Sequence, residues 1–239
     1  MVWKFLARNK RRLFWIGIAI IKILVLASLV KEPIKETWKS WHLPLSGRVI
    51  VIDPGHGGPD GGANEGDILE KDIALNISLY LRDYLQEQGA IVKMIRETDT
   101  DLAPKDMKSL RQRKMTDLKN RKQVINESEA DLFISIHLNA MTNKSWSGSQ
   151  VFYDDKLPEN KEIAKILQHE LKDMLKNTDR DARKNNDLFI TRNAEVPGAL
   201  AEVGFLSNDA ERQLLQNKQY QNKVALALYY GINRYFANE

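Results

Sequence analysis

Apolar and polar positions follow two different periods along the chain, and segments of the two kinds alternate. Residues 71–88 repeat apolar positions every three to four residues, which predicts a helix, and Gly89 follows where that helix would end. Residues 48–53 form a short run rich in β-branched side chains, which predicts a strand. The same criteria predict further strands at 90–96, 131–137, 149–153, 188–191 and 199–203, and further helices at 107–128, 159–176, 208–217 and 219–236.

Strands and helices that alternate in one chain favour an α/β fold. We predict a single domain at 48–237, with a twisted, mostly parallel sheet flanked by helices on both faces. Functional sites of such folds gather at the C-terminal ends of the strands. Residues 32–47 precede this domain with two prolines and alternating charges, which indicates a linker.

Residues 1–31 differ from the rest in charge and hydropathy, and we interpret them as a targeting segment. The segment has seven Lys and Arg residues and no acid, and its apolar stretch at 13–30 contains one charge, Lys22. That length lies between a signal-peptide core of roughly 7–15 residues and a spanning helix of about 20. We therefore predict export across the cytoplasmic membrane, either as a cleaved signal peptide or as a retained membrane anchor. A helix buried in the domain is the alternative interpretation.

Composition excludes several classes of function. The chain has 36 Lys and Arg against 32 Asp and Glu, but without the seven bases of the leader the remainder has a net charge of −3. A domain without net positive charge gives no reason to expect nucleic-acid binding, so we predict none. The chain has no cysteine, which rules out a disulfide framework, a thiolate metal site and a cysteine nucleophile.

The residues that could carry chemistry begin with a glycine-rich loop at 53–63, DPGHGGPDGGA. Its backbone N–H groups could bind phosphate, but the loop lacks the Gly-Lys-Ser/Thr ending of a P-loop. The alternative is that the glycines turn the backbone tightly and present His56 at the sheet edge. His137 ends a predicted strand, so we expect it at the same edge, although a lone strand-end histidine is usually structural. We interpret His42 and His169 as solvated surface residues.

Two acids stand out beside these histidines. Glu70 lies at the start of a predicted helix, where the helix dipole alone favours an acid. Glu202 lies within an otherwise apolar strand, and a buried carboxylate needs a cationic partner. A structural salt bridge to Arg121 or Arg192 would satisfy that need. The other interpretation is a metal, because two imidazoles and one carboxylate are a ligand set of catalytic zinc, and a second carboxylate can take a proton from water.

Four motifs in this order resemble the zinc-dependent N-acetylmuramoyl-L-alanine amidases of the amidase-3 type: DPGHGGPDGGA, LEKD, ADLFISIHLNA and PGALAEVGFLSN. The resemblance covers about residues 47–233, which is almost the whole predicted domain. The leader and the short linker are similar to those of the sporulation branch of the family. The family's fold is a single α/β domain with a twisted, mostly parallel sheet, in agreement with the pattern of predicted elements.

The resemblance implies a site, residue by residue. His56, Glu70 and His137 would hold one Zn²⁺ per chain, and Glu202 would act as the catalytic general base. The resemblance assigns no substrate-contacting residue; Asn139 is a candidate for substrate contact from its position beside His137. The implied substrate is peptidoglycan, as glycan strands that carry stem peptides. The implied reaction is hydrolysis of the amide bond between N-acetylmuramic acid and L-alanine.

The sporulation branch further implies a role in spore-cortex maturation, in the step that precedes muramic δ-lactam formation. Leu138 departs from the small residue of many relatives but removes no ligand. A zinc carboxypeptidase or deacetylase could use the same metal set, and a membrane-anchored peptidoglycan-binding protein without catalysis is a further alternative. The need for an activating protein partner stays open. The basic stretch at 105–122 either contacts anionic wall polymer or forms a solvated helix face.

Overall fold

The chain divides into two compact units, Met1–Leu43 and Pro44–Glu239. The computed structural model describes residues 12, 14–26 and 43–238. The second unit therefore lies almost wholly within the described residues, and it carries every residue that the sequence analysis assigned to a catalytic or metal site.

The structure describes part of the predicted leader at 1–31. Residues 14–26 of this segment form helix α1. Large apolar side chains of this helix are exposed, for example those of Ile23 and Leu26. Among the described residues, no helix is long and apolar enough to cross a membrane. The predicted linker at 32–47 falls mostly outside the described residues, and so does His42. The leader and the linker stay predictions.

The described residues of the second unit form eight strands: β1 (Val49–Pro54), β2 (Asn64–Glu65), β3 (Ile68–Leu69), β4 (Ile91–Met94), β5 (Leu132–Asn139), β6 (Gln150–Tyr153), β7 (Arg183–Lys184) and β8 (Gly198–Phe205). Six of them form one sheet in the order β4-β1-β5-β8-β6-β7. Neighbouring strands of this sheet pair in parallel, except β6 with β8. The strands β2 and β3 form a separate antiparallel ribbon.

Helices cover both faces of the sheet: α2 (Glu70–Glu87), α3 (Leu110–Asn126), α4 (Pro158–Leu175), α5 (Phe189–Asn193), α6 (Asp209–Gln216) and α7 (Lys218–Ala237). On one face, α2, α4 and α7 pack over the larger apolar core, which includes Ile52 and Ile134. On the other face, α3 and α5 contribute to a smaller core with Val51 and Phe133. The predicted α/β domain, with a mostly parallel sheet between two layers of helices, is confirmed.

The two faces hold their helices in different ways. Helix α2 buries Ile73, Ile77 and Leu81 at helical spacing, as its apolar periodicity predicts. Helix α3 is mostly polar, and its buried side chains include the charged residues Asp117 and Arg121. Because so few apolar side chains attach α3 to the domain, its buried ion pairs provide a large part of that attachment.

Arg121 connects α3 to the end of β1 and is only 2% exposed. It donates from Nη1 to Asp53 Oδ1 at 2.6 Å and from Nε to Asp117 Oδ2 at 2.7 Å. Ser135 on β5 donates to the second oxygen of Asp53 at 2.7 Å. Burial alone would raise the pKa of Asp53, but Arg121, then His137 and Ser135, hold that pKa below its ordinary value. Asp53 therefore stays charged inside the domain.

The loop that follows β1 is fixed by two arginines. Arg121 also donates to the carbonyl oxygen of Pro54 at 2.8 Å and to that of His56. Arg96 donates to the carbonyl oxygens of Pro54 at 3.1 Å and Gly55 at 2.8 Å. Three consecutive carbonyls, at the last residue of β1 and the first two of the loop, thus accept hydrogen bonds from guanidinium groups. These bonds determine where the His56 side chain lies.

The strand predicted at 188–191 is wrong, because this segment begins helix α5. Its helical hydrogen bonds join Arg192 N to Leu188 O at 3.0 Å and Ala194 N to Ile190 O at 2.9 Å. Ile190 is buried in the smaller apolar core. A short apolar run fits a strand and a helical turn equally well, so periodicity alone could not distinguish them.

Candidate metal centre

The candidate residues lie together at the C-terminal edge of the sheet. His56 follows β1, and His137 lies near the end of the neighbouring strand β5. The register of β5 against β8 places His137 directly beside Glu202. Glu70 is the first residue of α2. The parallel topology therefore joins four distant segments of the chain at the edge where sites of α/β folds are expected.

Glu70 bridges the two histidines. Its Oε1 lies 2.8 Å from His137 Nδ1, and its Oε2 lies 3.2 Å from His56 Nε2. The two imidazole rings meet edge to face, with their centroids 5.0 Å apart. One ligand atom from each of the three residues lies within 4.8 Å of the others. Within the described part of the chain, this is the one group of histidines and acids that could hold a metal ion.

The carboxylate of Glu70 is fixed by backbone groups from two other segments. Ala63 N donates to Oε2 at 2.7 Å, and Leu138 N donates to Oε1 at 2.9 Å. Burial opposes the negative charge, but hydrogen bonds with His137 and His56 hold the pKa of Glu70 well below its usual range. A first-turn acid that only balanced the helix dipole would need none of these contacts. The carboxylate of Glu70 is therefore held in place and kept charged by contacts with two other segments of the chain.

A further carboxylate orients His56. The Nδ1 atom of His56 lies 2.9 Å from Asp60 Oδ2, which leaves Nε2 facing Glu70. Asp60 itself accepts from Gly62 N at 3.2 Å and lies 3.2 Å from Lys114 Nζ. Although burial opposes a charged imidazole, Asp60 and Glu70 raise the pKa of His56 to about 9. The sequence analysis missed Asp60, whose only signal is its position four residues after the histidine.

Two glycines of the loop make room for these side chains. A Cβ atom on Gly62 would lie 2.4 Å from Glu70 Oε2 and 2.6 Å from His56 Cδ2. A Cβ atom on Gly55 would lie 2.5 Å from the ring of His137. These distances are well inside the ordinary contact distance of about 3.5–4.0 Å. The glycines therefore allow the ligand side chains to pack, which is the second of the two interpretations of this loop.

Glu202 lies beside the three candidate ligand residues but forms no hydrogen bond with them. Its Oε2 atom is buried and has no hydrogen-bond partner among the described residues. Burial raises the pKa of Glu202 to about 7, against the opposing effect of His137 and with the support of Glu70. The alternative of a salt bridge to Arg121 or Arg192 is wrong, because Arg121 is engaged at the end of β1 and Arg192 is exposed on α5.

Asn139 lies outside the ligand group, two residues beyond His137. The register of β5 against β8 shifts between these two residues, and the carbonyl oxygen of Asn139 accepts from Leu206 N at 2.8 Å. Asn139 lines a cavity of about 170 Å³, which we call the β6 cavity. The other residues that line it are Met141, Trp146, Gln150, Phe152, Arg180, Arg183 and Phe205.

Comparison with known proteins agrees with this arrangement. Residues 50–234 match the amidase-3 family, whose description is N-acetylmuramoyl-L-alanine amidase. The chain belongs to this family. It is therefore a cell-wall amidase, and the alternative of a peptidoglycan-binding protein without catalysis finds no support in the family match.

Several relatives extend this result. The germination-specific N-acetylmuramoyl-L-alanine amidase of Bacillus subtilis is 49% identical over 232 residues, which are 96% of this chain and 98% of that relative. The CwlD amidase from Clostridioides difficile, solved in complex with the GerS lipoprotein, has a TM-score of 0.78 at 39% identity and covers 80% of this chain and 100% of its own. The catalytic domain of CwlV from Bacillus (Paenibacillus) polymyxa has a TM-score of 0.70 at 29% identity. The match covers 80% of this chain and 99% of the CwlV domain. The predicted resemblance to the CwlD-type amidases of this family is confirmed.

Gly62→Ala and Gly66→Ala form a matched pair of variants. Both glycines have positive φ, +72° and +61°, so alanine strains both backbones alike, by about 1 kcal/mol. A Cβ atom on Gly66 meets nothing within 4 Å, whereas one on Gly62 displaces Glu70 and His56. We expect Gly66→Ala to retain its bound metal and Gly62→Ala to lose most of it, as measured by atomic emission on folded protein. Equal metal content in the two variants would contradict the role given to the loop.

Glu202→Gln tests how the carboxyl group of Glu202 makes the free energy of unfolding of the metal-free protein depend on pH. Because the pKa rises from 4.5 to about 7 on folding, the stabilisation that this group provides is present below pH 4.5 and is lost as the pH rises through about 7. From about pH 5 to pH 8, we expect the free energy of unfolding of the wild type to fall by about 3 kcal/mol relative to the variant. Urea unfolding in chelator measures this difference, and a difference independent of pH would reject the burial of Glu202.

Proposed function

We propose that this amidase uses a zinc ion held by His56, Glu70 and His137, with Glu202 as its general base. The observation that carries the proposal is a closed group of two imidazoles and one carboxylate, with a second, unbonded carboxylate in register beside it. Two imidazoles and a carboxylate form a ligand set of catalytic zinc, which keeps its fourth position for water or substrate. Calcium and magnesium prefer oxygen ligands alone, so the donor set fits zinc better.

The chemistry divides between the ion and the protein. Zinc, when bound, polarises the amide carbonyl and lowers the pKa of water to about 7. Glu202 accepts a proton from the attacking water and returns a proton to the alanine nitrogen, so that the amide separates into a lactyl carboxylate and an amine. Asp60 holds Nδ1 of His56 and leaves Nε2 as the atom available to the ion.

The proposed substrate is peptidoglycan, cleaved between N-acetylmuramic acid and L-alanine. A carboxypeptidase or deacetylase could use the same donor set, but each would give different products. A carboxypeptidase would release a C-terminal amino acid, and a deacetylase would release acetate. The amidase instead leaves a new amino group on alanine, and the family match supports this reaction.

The purified full-length chain tests the proposal on intact peptidoglycan. We expect zinc-dependent release of peptides that begin with alanine, and no release in the presence of a chelator. We expect Glu202→Gln to keep its zinc and to lose turnover by roughly 10²–10⁴-fold, because it removes the general base. We expect His137→Ala to lose both zinc and turnover, because it removes a ligand.

The matched control is His169→Ala, since that imidazole lies on α4 with a side chain that is 57% exposed. It should keep both zinc and turnover. Near wild-type turnover by Glu202→Gln would reject the general-base assignment, and full zinc content in His137→Ala would reject the ligand assignment. Release of acetate or of a C-terminal amino acid in place of alanine-terminated peptides would reject the reaction.

We further propose that the chain is exported and acts in spore-cortex maturation, before muramic δ-lactam forms. The basic and apolar pattern of residues 1–31 supports export. The germination-specific relative, which matches 96% of this chain, supports the cortex role. The chemistry is consistent with it, because removal of the stem peptide exposes the lactyl carboxylate that a lactam needs. The amidase alone makes this intermediate and not the lactam.

A strain without this chain, complemented with the full chain or with residues 32–239 alone, tests both parts. We expect muramic δ-lactam in the cortex to be restored only by the full chain, because the shorter chain lacks the export signal. Immunoblots of membrane and soluble fractions then show whether the leader is cleaved or retained as an anchor. Restoration by residues 32–239 would contradict export, and an unchanged lactam content in the deletion strain would contradict the cortex role.

A protein partner belongs to the same proposal. It is supported by the C. difficile relative, which was solved in complex with the GerS lipoprotein. We expect the partner to raise turnover and not to be required for it, so the peptidoglycan assay is repeated with a candidate lipoprotein added to the purified chain. Turnover unchanged by the addition would contradict this part.

A further inference from the structure

Two cavities lie on opposite sides of the row of site residues along the sheet edge. The β6 cavity lies on the Glu202 side, since Gln150, which lines it, is the register partner of Glu202 on β6. A second cavity of about 310 Å³, the α3 cavity, lies on the His56 side and includes Asp60 and Arg111. The β6 cavity is therefore the one next to Glu202.

The two cavities differ in charge. The α3 cavity is lined by three acids and three bases, which include the ion pair of Lys114 with Asp60. The β6 cavity is lined by Arg180 and Arg183 and by no acid. Neither of these arginines forms an ion pair with any residue that the structure describes. The charge of Arg180 interacts with the nearby carboxylate of Glu211, so the guanidinium of Arg183 is the uncompensated positive charge of the β6 cavity and suits an anionic group.

The two arginines of the β6 cavity have different surroundings. Arg180 donates to Gly148 O at 3.0 Å, and its guanidinium lies 5.5 Å from the ring centroid of Trp146 and 5.7 Å from that of Phe205. The guanidinium of Arg180 thus already has partners within the protein, in the wall of the cavity. Arg183 is exposed on the edge strand β7, and its side chain makes no hydrogen bond with a described residue. Arg183 is therefore the cation that is available to a ligand.

We propose that the β6 cavity binds a carboxylate of the stem peptide and that Arg183 recognises it. The inference rests on the proposed function, in which the stem peptide begins at the alanine released near Glu202. Stem peptides are acidic when their carboxylates are not amidated, and a guanidinium binds a carboxylate through two parallel N–H···O bonds. Trp146, which is 47% exposed, offers an apolar surface to the same peptide. The enzyme therefore distinguishes acidic from amidated stems.

Synthetic muramoyl peptides in three forms test this specificity with the full-length chain. One form has free carboxylates, one is amidated at the second stem residue, and one is amidated at the C-terminus. We expect kcat/KM to be roughly ten-fold higher for the free form than for the form that lacks the recognised carboxylate, as for one charge-assisted hydrogen bond. The two amidated forms show which carboxylate is bound.

Arg183→Gln should abolish this preference by raising KM for the acidic substrate. The control is Arg111→Gln, which removes an exposed arginine of the α3 cavity and should leave the preference as it is. A preference that survives Arg183→Gln, or an equal loss on all three substrates, would overturn the proposal.

Binding of the same peptides to the Glu202→Gln protein, measured by calorimetry, separates this proposal from the proposed function. Binding that depends on both the free carboxylate and Arg183, combined with no turnover by the wild type, would reject the reaction and keep the peptide subsite. Turnover by the wild type without any preference among the three peptides would reject the subsite and keep the reaction.

Discussion

The buried ion pair between Asp53 and Arg121 fixes the position of the whole catalytic edge. Both oxygens of Asp53 are bonded, one to Arg121 and the other to Ser135, so β1, α3 and β5 meet at one carboxylate. The same guanidinium donates to the carbonyls of Pro54 and His56, which places the first histidine. Removal of one partner from such a pair leaves an unpaired buried charge, at a cost of about 3–5 kcal/mol. The position of His56 in the metal centre therefore depends on an ion pair that lies outside the centre.

The carboxylates of Glu70 and Glu202 lie in opposite environments, and this difference supports the separate roles proposed for them. Glu70 accepts hydrogen bonds at both oxygens from backbone and imidazole groups, which stabilises its charged form and lowers its pKa. The Oε2 atom of Glu202 is buried without a hydrogen bond, and removal of the carboxyl group from solvent favours its protonated form and raises its pKa to about 7. A permanently charged acid suits metal ligation, whereas one that changes protonation near neutral pH suits proton transfer.

The sequence predicted those features that depend on local patterns. Apolar spacing predicted the buried face of α2, and the alternation of elements predicted that His56 and His137 would share an edge. The α5 helix was missed because its apolar run is too short to have a period of its own. Asp60 and the β6 cavity were missed for other reasons. Asp60 acts through a contact within one loop, for which a spacing of four residues is a weak signal. The β6 cavity depends on how the antiparallel strand β6 meets its neighbours, which neither local propensity nor spacing encodes.

The short strand β7 has a consequence for the behaviour of the domain among other copies of itself. A parallel sheet with an open side strand invites strand addition from a neighbouring chain, which leads to aggregation. Here that side of the sheet ends in a strand of two exposed, basic residues, Arg183 and Lys184. A strand so short and so charged offers few free backbone groups and repels a second copy. The edge of the sheet beside the β6 cavity therefore does not accept a further strand from a second copy of the chain.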